Sequence, residues 1–488
     1  MFERGRRDLG QTWAVALAAL LLGCSAPRVN DGAGGSSGAS AGTGGLGLGG
    51  SLDMGPLHPQ CTDSLRCRQV RCPAESSPST TSVSGVVYDP AGRVPLYNAV
   101  AYVVDEEKLV DLDHRVRCES CSAHFPEGAL AVGLSGADGS FTVRNMPTGK
   151  DVPLVIQLGK WRRVVKIPFV EPCTDTRLDK ELTRLPRSSA EGNLPKIAVT
   201  TGGSDALECL VKKLGVDVSE FSPGDGDGRV HLFSGFKAAK EMELGGELTP
   251  LEPAEALWQS AERMLGYDMM LMSCEGEDNV FNAADDLPKG AVHRPPAMHL
   301  ELRKYADLGG RIFGSHWHHR WIGSDKDTTP DDPYPPVAKF AKSAKDIGDV
   351  ELSVDDSFPK GLALRDWLVN VGASITPGLL SVVKAEHSVD AVDPELARRW
   401  IYGTDPDMVQ YFSFTTPVGE AECGRMVFSD VHVTFGGGAA AAVPFPSRCG
   451  PDDELTPQEK ALAFMIFDLS SCIQKEDEPV RAPITVVK

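Results

Sequence analysis

Three short stretches of this chain carry residues whose types and spacing could do chemistry. Residues 314–319 read Gly-Ser-His-Trp-His-His, which places Ser315, His316, His318 and His319 within five positions. Residues 273–276 offer Cys274 and Glu275, and residues 429–432 offer Asp430 and His432. Imidazole and carboxylate are the usual nitrogen and oxygen donors for zinc or iron. His316, His318 and His319 are therefore candidate metal ligands, with His432, Asp430 or Glu275 as further donors. A second chemistry takes Ser315 as nucleophile, His432 as base and Asp430 or Glu275 as the group that orients it. The Gly-x-Ser-x-Gly elbow is missing, since residues 314–317 carry one glycine. A third, non-catalytic reading packs Trp317, His318 and Trp321 under a loop and uses their polar tips as hydrogen-bonding groups. On that reading Cys274, Glu275 and Trp317 line a ligand-binding surface.

The elements around these stretches say how they would be positioned. Leu302, Tyr305, Ala306 and Leu308 recur at helical spacing, and Gly309-Gly310 ends the helix. Arg311, Ile312 and Phe313 then read as a short buried strand that runs into Ser315. Apolar residues 267–272 likewise stop at Cys274, and residues 424–428 stop before Asp430. Side chains presented just beyond the carboxyl ends of strands are how open α/β sheets build sites. A further strand at 196–200 meets the turn Thr201-Gly202-Gly203, with Ser204 as N-cap of a helix over 205–214. Gly202-Gly203 reads as a tight turn rather than an anion site. Residues 254–264 and 456–470 are helical, and residues 330–336 with a helix at 361–371 read as insertions over the end of the sheet. Strands alternating with helices imply a parallel sheet.

At 488 residues the chain is long enough for two or three domains. A net charge of −19 argues against nucleic acid, because a phosphate backbone requires a basic face. Arg4, Arg6 and Arg7 precede an apolar run too short for a standard membrane span, which ends in Leu21-Leu22-Gly23-Cys24. This junction resembles the bacterial lipobox. The resemblance implies a signal peptide over 1–24, palmitate or a similar lipid on Cys24, and, with Ser25 following, anchoring to the outer membrane. Residues 25–79 form a Gly/Ser-rich tether and a Cys-containing lead-in, too poor in apolar groups to fold over most of their length. Twelve cysteines support export. Cys61, Cys67, Cys72, Cys118, Cys121 and Cys173 are expected to staple one small domain, Cys449 and Cys472 to tie the last loop to the last helix, and at least one thiol to remain free or pair with another chain.

Residues 80–186 show short strands between turn signals such as Asp89-Pro90 and Asp138-Gly139, the pattern of an all-β sandwich. The run from Gly85 to Val100, with Pro95 and Ala99, and the run Asp138-Gly139-Ser140-Phe141 to Pro147 and Gly149 resemble the carboxypeptidase regulatory-like family. That resemblance implies a transthyretin-like, non-catalytic domain. Residues 187–475 carry Tyr267-Asp268, Gly309-Gly310-Arg311 through His316, and Gly424-Arg425-Met426-Val427. These resemble the class I glutamine amidotransferase-like superfamily, and its trehalose-utilisation-like branch in particular. The resemblance implies an α/β flavodoxin-like domain with a parallel sheet, here with an insertion at about 325–420 and a tail over 476–488. Ser315-His316 stands where amidotransferases carry a nucleophilic cysteine, so glutaminase activity is not expected. The words SHWHHRW and FSDVHV also resemble a bacterial lipoprotein family, which implies no reaction. The expected protein is multidomain and lipid-anchored, binding a carbohydrate or peptide without catalysis; the alternative is a metal-dependent or Ser/His hydrolase built around His316 and His432.

Overall fold

The structure, a computed structural model, describes residues 57, 64–113, 115–118, 128–276, 293–323, 334–420, 422–433, 438–450, 454–474 and 476–478. The expected signal peptide, Cys24, the glycine-rich tether, Cys61, Cys121 and most of the tail lie outside the described residues. In the first part of the chain, short runs of β-branched residues between turns form β1 (Ser82–Val86), β2 (Val100–Val103), β3 (Ala131–Leu134), β4 (Ser140–Arg144), β5 (Gly149–Leu158), β6 (Trp161–Val170) and β7 (Asp175–Arg177). They make two sheets, ordered β4-β1-β7 and β3-β2-β5-β6. Alternation explains the inward faces: in β4, Phe141 and Val143 are buried while Ser140, Thr142 and Arg144 are exposed. A short helix, α1 (Lys180–Thr183), closes this part.

The remainder is built on one large sheet. Its strands are β8 (Ile197–Thr200), β9 (Phe221–Pro223), β10 (Val230–Phe233), β13 (Met269–Met272), β14 (Arg311–Ser315), β15 (Ala338–Val354), β16 (Leu379–Val392), β17 (Arg398–Thr404), β18 (Asp407–Thr416) and β19 (Gly424–Ser429), with a separate hairpin of β11 (Glu241–Leu244) and β12 (Glu247–Pro250). The order across the sheet is β16-β15-β17-β18-β19-β14-β13-β8-β10-β9. From β19 to β9 every neighbouring pair is parallel, and β13, β14 and β19 are buried on both faces. The helices are α2 (Leu207–Lys213), α3 (Ala254–Trp258), α4 (Ala261–Met264), α5 (Pro296–Asp307), α6 (Pro359–Asn370) and α7 (Pro457–Ser470). A capping box between Thr456 and Glu459 starts α7.

Three expectations are corrected. The sheet is mixed rather than wholly parallel, because β15 to β18 do not cover its end but continue it, joining antiparallel through the β18–β19 ladder. The helix expected over 254–264 breaks in two, with Ser260 capping the second piece through the Arg263 N–H. The disulfides reach further than the small domain: Cys72 pairs with Cys173, but Cys118 pairs with Cys423 and Cys209 with Cys449, so Cys449 does not pair with Cys472. Such cross-links fit an exported protein. Among the described residues no helix is long and apolar enough to cross a membrane. One apolar cluster runs from Val83 and Phe141 through Ile197 and Leu210 to Phe464 and Leu469, so the first sheets and the large sheet share buried surface.

Candidate metal centre

The parallel strands β8, β13, β14 and β19 all end on one side, and the candidate residues stand beyond those ends. The turn after β8 packs onto the exit of β13. Gly202 lies so close to the Cys274 carbonyl that a side chain there would collide with it, which is the tight turn expected of Gly202-Gly203. The Cys274 carbonyl accepts the N–H groups of Ser204 and Asp205 at 3.0 and 3.1 Å. Ser204 does not cap the following helix. Instead α2 begins at Leu207, whose N–H reaches Ser273 Oγ at 3.1 Å, so β13 and α2 are joined through that hydroxyl.

Strand β14 delivers His316. The residue has φ of +45°, in the left-handed region that side chains other than glycine rarely adopt, and a 3-10 turn, His316–Trp321, follows at once. A sharp strand-to-helix turn of this kind lifts one side chain above the sheet. Here that side chain is an imidazole. Its Nδ1 lies 3.4 Å from Cys274 Sγ, and its ring is 5.2 Å from that of His432, measured between centroids. The ligand atoms of Cys274, His316 and His432 all lie within 4.8 Å of one another. The Nε2 atoms of His316 and His432 are both buried with no hydrogen-bond partner among the described residues. Across the ring from Cys274, His316 Nε2 faces Glu386 Oε2 at 3.9 Å.

All three donors are neutral at pH 7. Burial pushes the Cys274 thiol far up, against the Trp317 and Gly276 N–H groups that point at its sulfur. Burial also drives the His316 imidazolium well below its ordinary range, with His432, His319 and His318 adding to the effect. It lowers His432 too, opposed by nearby Asp205. Among the described residues Cys274 is the free cysteine, in a chain whose other described cysteines are disulfide-bonded.

The other candidate residues are committed elsewhere. His318 Nδ1 accepts from Trp321 Nε1 at 2.9 Å, which leaves Nε2–H to donate to the Ser273 carbonyl at 3.0 Å. His319 bonds the His316 carbonyl through Nδ1 and stacks on Phe340. Burial holds both imidazoles down at about 3. Trp317 stacks on the His316 ring, centroids 4.7 Å apart. Glu275 takes a two-pronged ion pair from fully buried Arg294, at 2.6 and 2.8 Å, and accepts the Phe236 N–H. Ser315 Oγ donates to Asp205 Oδ2 at 2.6 Å. Asp430 accepts the Ser388 N–H at 2.7 Å and is pushed up to about 7 by burial.

Two residues that sequence reasoning passed over help to build the site. Asp205, read as the start of a helix, is a buried hub: one oxygen takes Ser315 Oγ at the end of β14, and the other takes the Val433 N–H, fixing the chain beside His432. Its place two residues after the Gly202-Gly203 turn was the available signal. Glu386 had none, because it arrives from β16.

A metal can be tested against this donor set. Zinc binds thiolate at about 2.3 Å and imidazole at about 2.0 Å, so tetrahedral donors stand roughly 3.3–3.6 Å apart. The observed Cys274 Sγ to His316 Nδ1 separation of 3.4 Å falls in that range. No protein-family model matches the chain, and no curated protein matches it in sequence. Among solved structures the chain is similar to a ThuA-like protein from Bacteroides uniformis, at 10% identity and a TM-score of 0.29, over 56% of this chain and 91% of that one. It is also similar to a chain of a type II cohesin–X-dockerin complex from Acetivibrio cellulolyticus, at 12% identity and a TM-score of 0.16, over 28% of this chain and 85% of that one.

Proposed function

We propose that the chain is an exported, metal-dependent hydrolase whose zinc-class ion is held by Cys274, His316 and His432. The observation that carries this reading is the convergence of one free thiol and two imidazoles, their ligand atoms all within 4.8 Å of one another. A free thiol and two imidazoles brought this close together form a donor set for a single ion. The two imidazoles are neutral and carry lone pairs, the thiol joins them on losing its proton to the metal, and three protein ligands leave a position for water or substrate, as catalytic rather than closed structural zinc sites do. A thiolate with two imidazoles suits zinc better than a harder ion such as magnesium. When bound, zinc supplies Lewis acidity and an acidified water.

The serine chemistry has less support, because Ser315 Oγ is engaged by Asp205. The finer architecture belongs to the same proposal. Residues 187–475 are read as a flavodoxin-like domain extended by an antiparallel insertion, and residues 80–186 as a carboxypeptidase regulatory-like sandwich. Cys24 is read as a lipid anchor that holds the centre on the outer membrane near carbohydrate or peptide substrates. Metal analysis of the purified protein tests the core of this reading. Near-stoichiometric zinc that is lost in a Cys274→Ser/His316→Ala variant supports it, and a metal-free protein that takes up no added zinc overturns it.

A further inference from the structure

Resting on the metal reading above, we propose that Glu386 is the outer carboxylate that orients His316 on the metal, so that the antiparallel extension completes the centre. His316 turns Nδ1 toward Cys274, which leaves Nε2 pointing away, buried and without a hydrogen bond. An imidazole bound through one nitrogen carries its proton on the other, and metal-ligating histidines usually donate that N–H to a carboxylate or carbonyl, which fixes the ring. Glu386 Oε2 stands on that side at 3.9 Å, about an ångström beyond a normal charge-assisted bond.

The fold holds Glu386 there from two sides. Its carbonyl accepts from Gln410 Nε2 of β18, and the Gln410 carbonyl accepts the Asp430 N–H at 2.9 Å. Two residues further along β16, the Ser388 N–H donates to Asp430 Oδ2 at 2.7 Å. Strand β16 is thus laced to the exit of β19, the loop that carries His432. Just before Glu386 the β15–β16 ladder slips register, and Lys384 adopts φ of +52°. A bulge of this kind re-aims the side chains that follow it. In this chain it delivers a carboxylate to the histidine just beyond β14, a strand separated from β16 by four others in the order of the sheet.

The test is competition of zinc against a chromophoric chelator, using the full chain as wild type, Glu386→Ala, Glu386→Gln and, as a control, Glu351→Gln at an exposed carboxylate of β15. The expected result is a zinc Kd about 10–100-fold weaker in Glu386→Ala, recovered in part by glutamine, which keeps an acceptor oxygen. The control should match wild type, and the metal-free melting temperatures should all agree, which separates orientation of a ligand from loss of structure. A Glu386→Ala variant with the wild-type Kd overturns the inference while leaving the metal centre standing. A wild type that binds no zinc, or binds it as well after His316→Ala, overturns both.

Discussion

Strands β14 and β19 lie side by side, and their two ends are finished in opposite ways. At the entry end Arg311 and Arg425 are register partners, two like charges buried together. Opposite charge answers them. Asp468 of α7 lies 3.0 Å from Arg425 and 2.7 Å from the buried Lys360 of α6, and Glu476 pairs with Arg425. Burial alone would push the Asp468 carboxyl up, yet Lys360 and Arg425 outweigh it and hold it below the usual range. At the exit end the register partners are Ser315 and Ser429, followed by His316 and Asp430. There the donors are neutral, and two of them each carry a buried ring nitrogen with no hydrogen-bond partner among the described residues. One end uses polarity to hold the fold, and the other holds polarity in reserve.

The largest effect is expected at Asp468. Removing one partner of a buried ion network leaves the others uncompensated, at a cost of about 3–5 kcal/mol. Asp468→Ala should lose stability of that order in urea unfolding at pH 7 and leave zinc affinity in the folded fraction unchanged. A loss below about 1 kcal/mol would make the two ends equivalent. The exit end should respond the other way. Cys274→Ser keeps the shape of the side chain and an acceptor for the Gly276 N–H, so metal-free stability should move by less than about 1 kcal/mol. Zinc at about a hundred times its Kd should then add about 2.7 kcal/mol to the wild type and nothing comparable to the variant. Equal stabilisation of both would remove Cys274 from the centre.

The exit end of this contrast was legible in the chain and the entry end was not, and the limits have physical causes. Apolar runs that stop at small polar residues announced the exits of β13, β14 and β19, so Cys274, His316 and His432 were each read as candidates. Their grouping was not, since it depends on which strands are neighbours. Periodicity reports the face of a residue but not its partner across the sheet. His318 and His319 look equal to His316 in the sequence, but the left-handed backbone at His316 and the 3-10 turn after it send the three rings to different surroundings. The antiparallel extension was missed because β15 carries Lys and Asp between its apolar residues and its ladder slips register, which hides the alternation of a strand. Cys118 and Cys423 are 305 residues apart, and no local signal links them.

Acid and alkali should separate the two ends. At the exit end His318 is held neutral, accepting at Nδ1 from Trp321 and donating at Nε2 to Ser273. Its folded pKa of about 3 lies below the ordinary 6.5, so its share of stability is whole above pH 6.5 and is lost as pH falls toward 3. His319 behaves alike. Asp430 and Asp89, raised to about 7 and about 6, oppose this fall, because their protonation is favoured in the folded state. At the entry end Lys360 is lowered to about 8 by burial and by Arg425, so its contribution changes between about pH 8 and 10.5, where stability gains as pH rises. His318→Gln keeps one donor and one acceptor without a titrating proton. Between pH 6.5 and 4 its unfolding free energy should fall less steeply than that of the wild type, by up to about 1.4 kcal/mol per pH unit, with the limb above pH 8 unchanged. Parallel curves in acid would mean that the His318 ring is protonated without loss of its two bonds, and the exit end would then be no more sensitive to charge than the end that Asp468 secures.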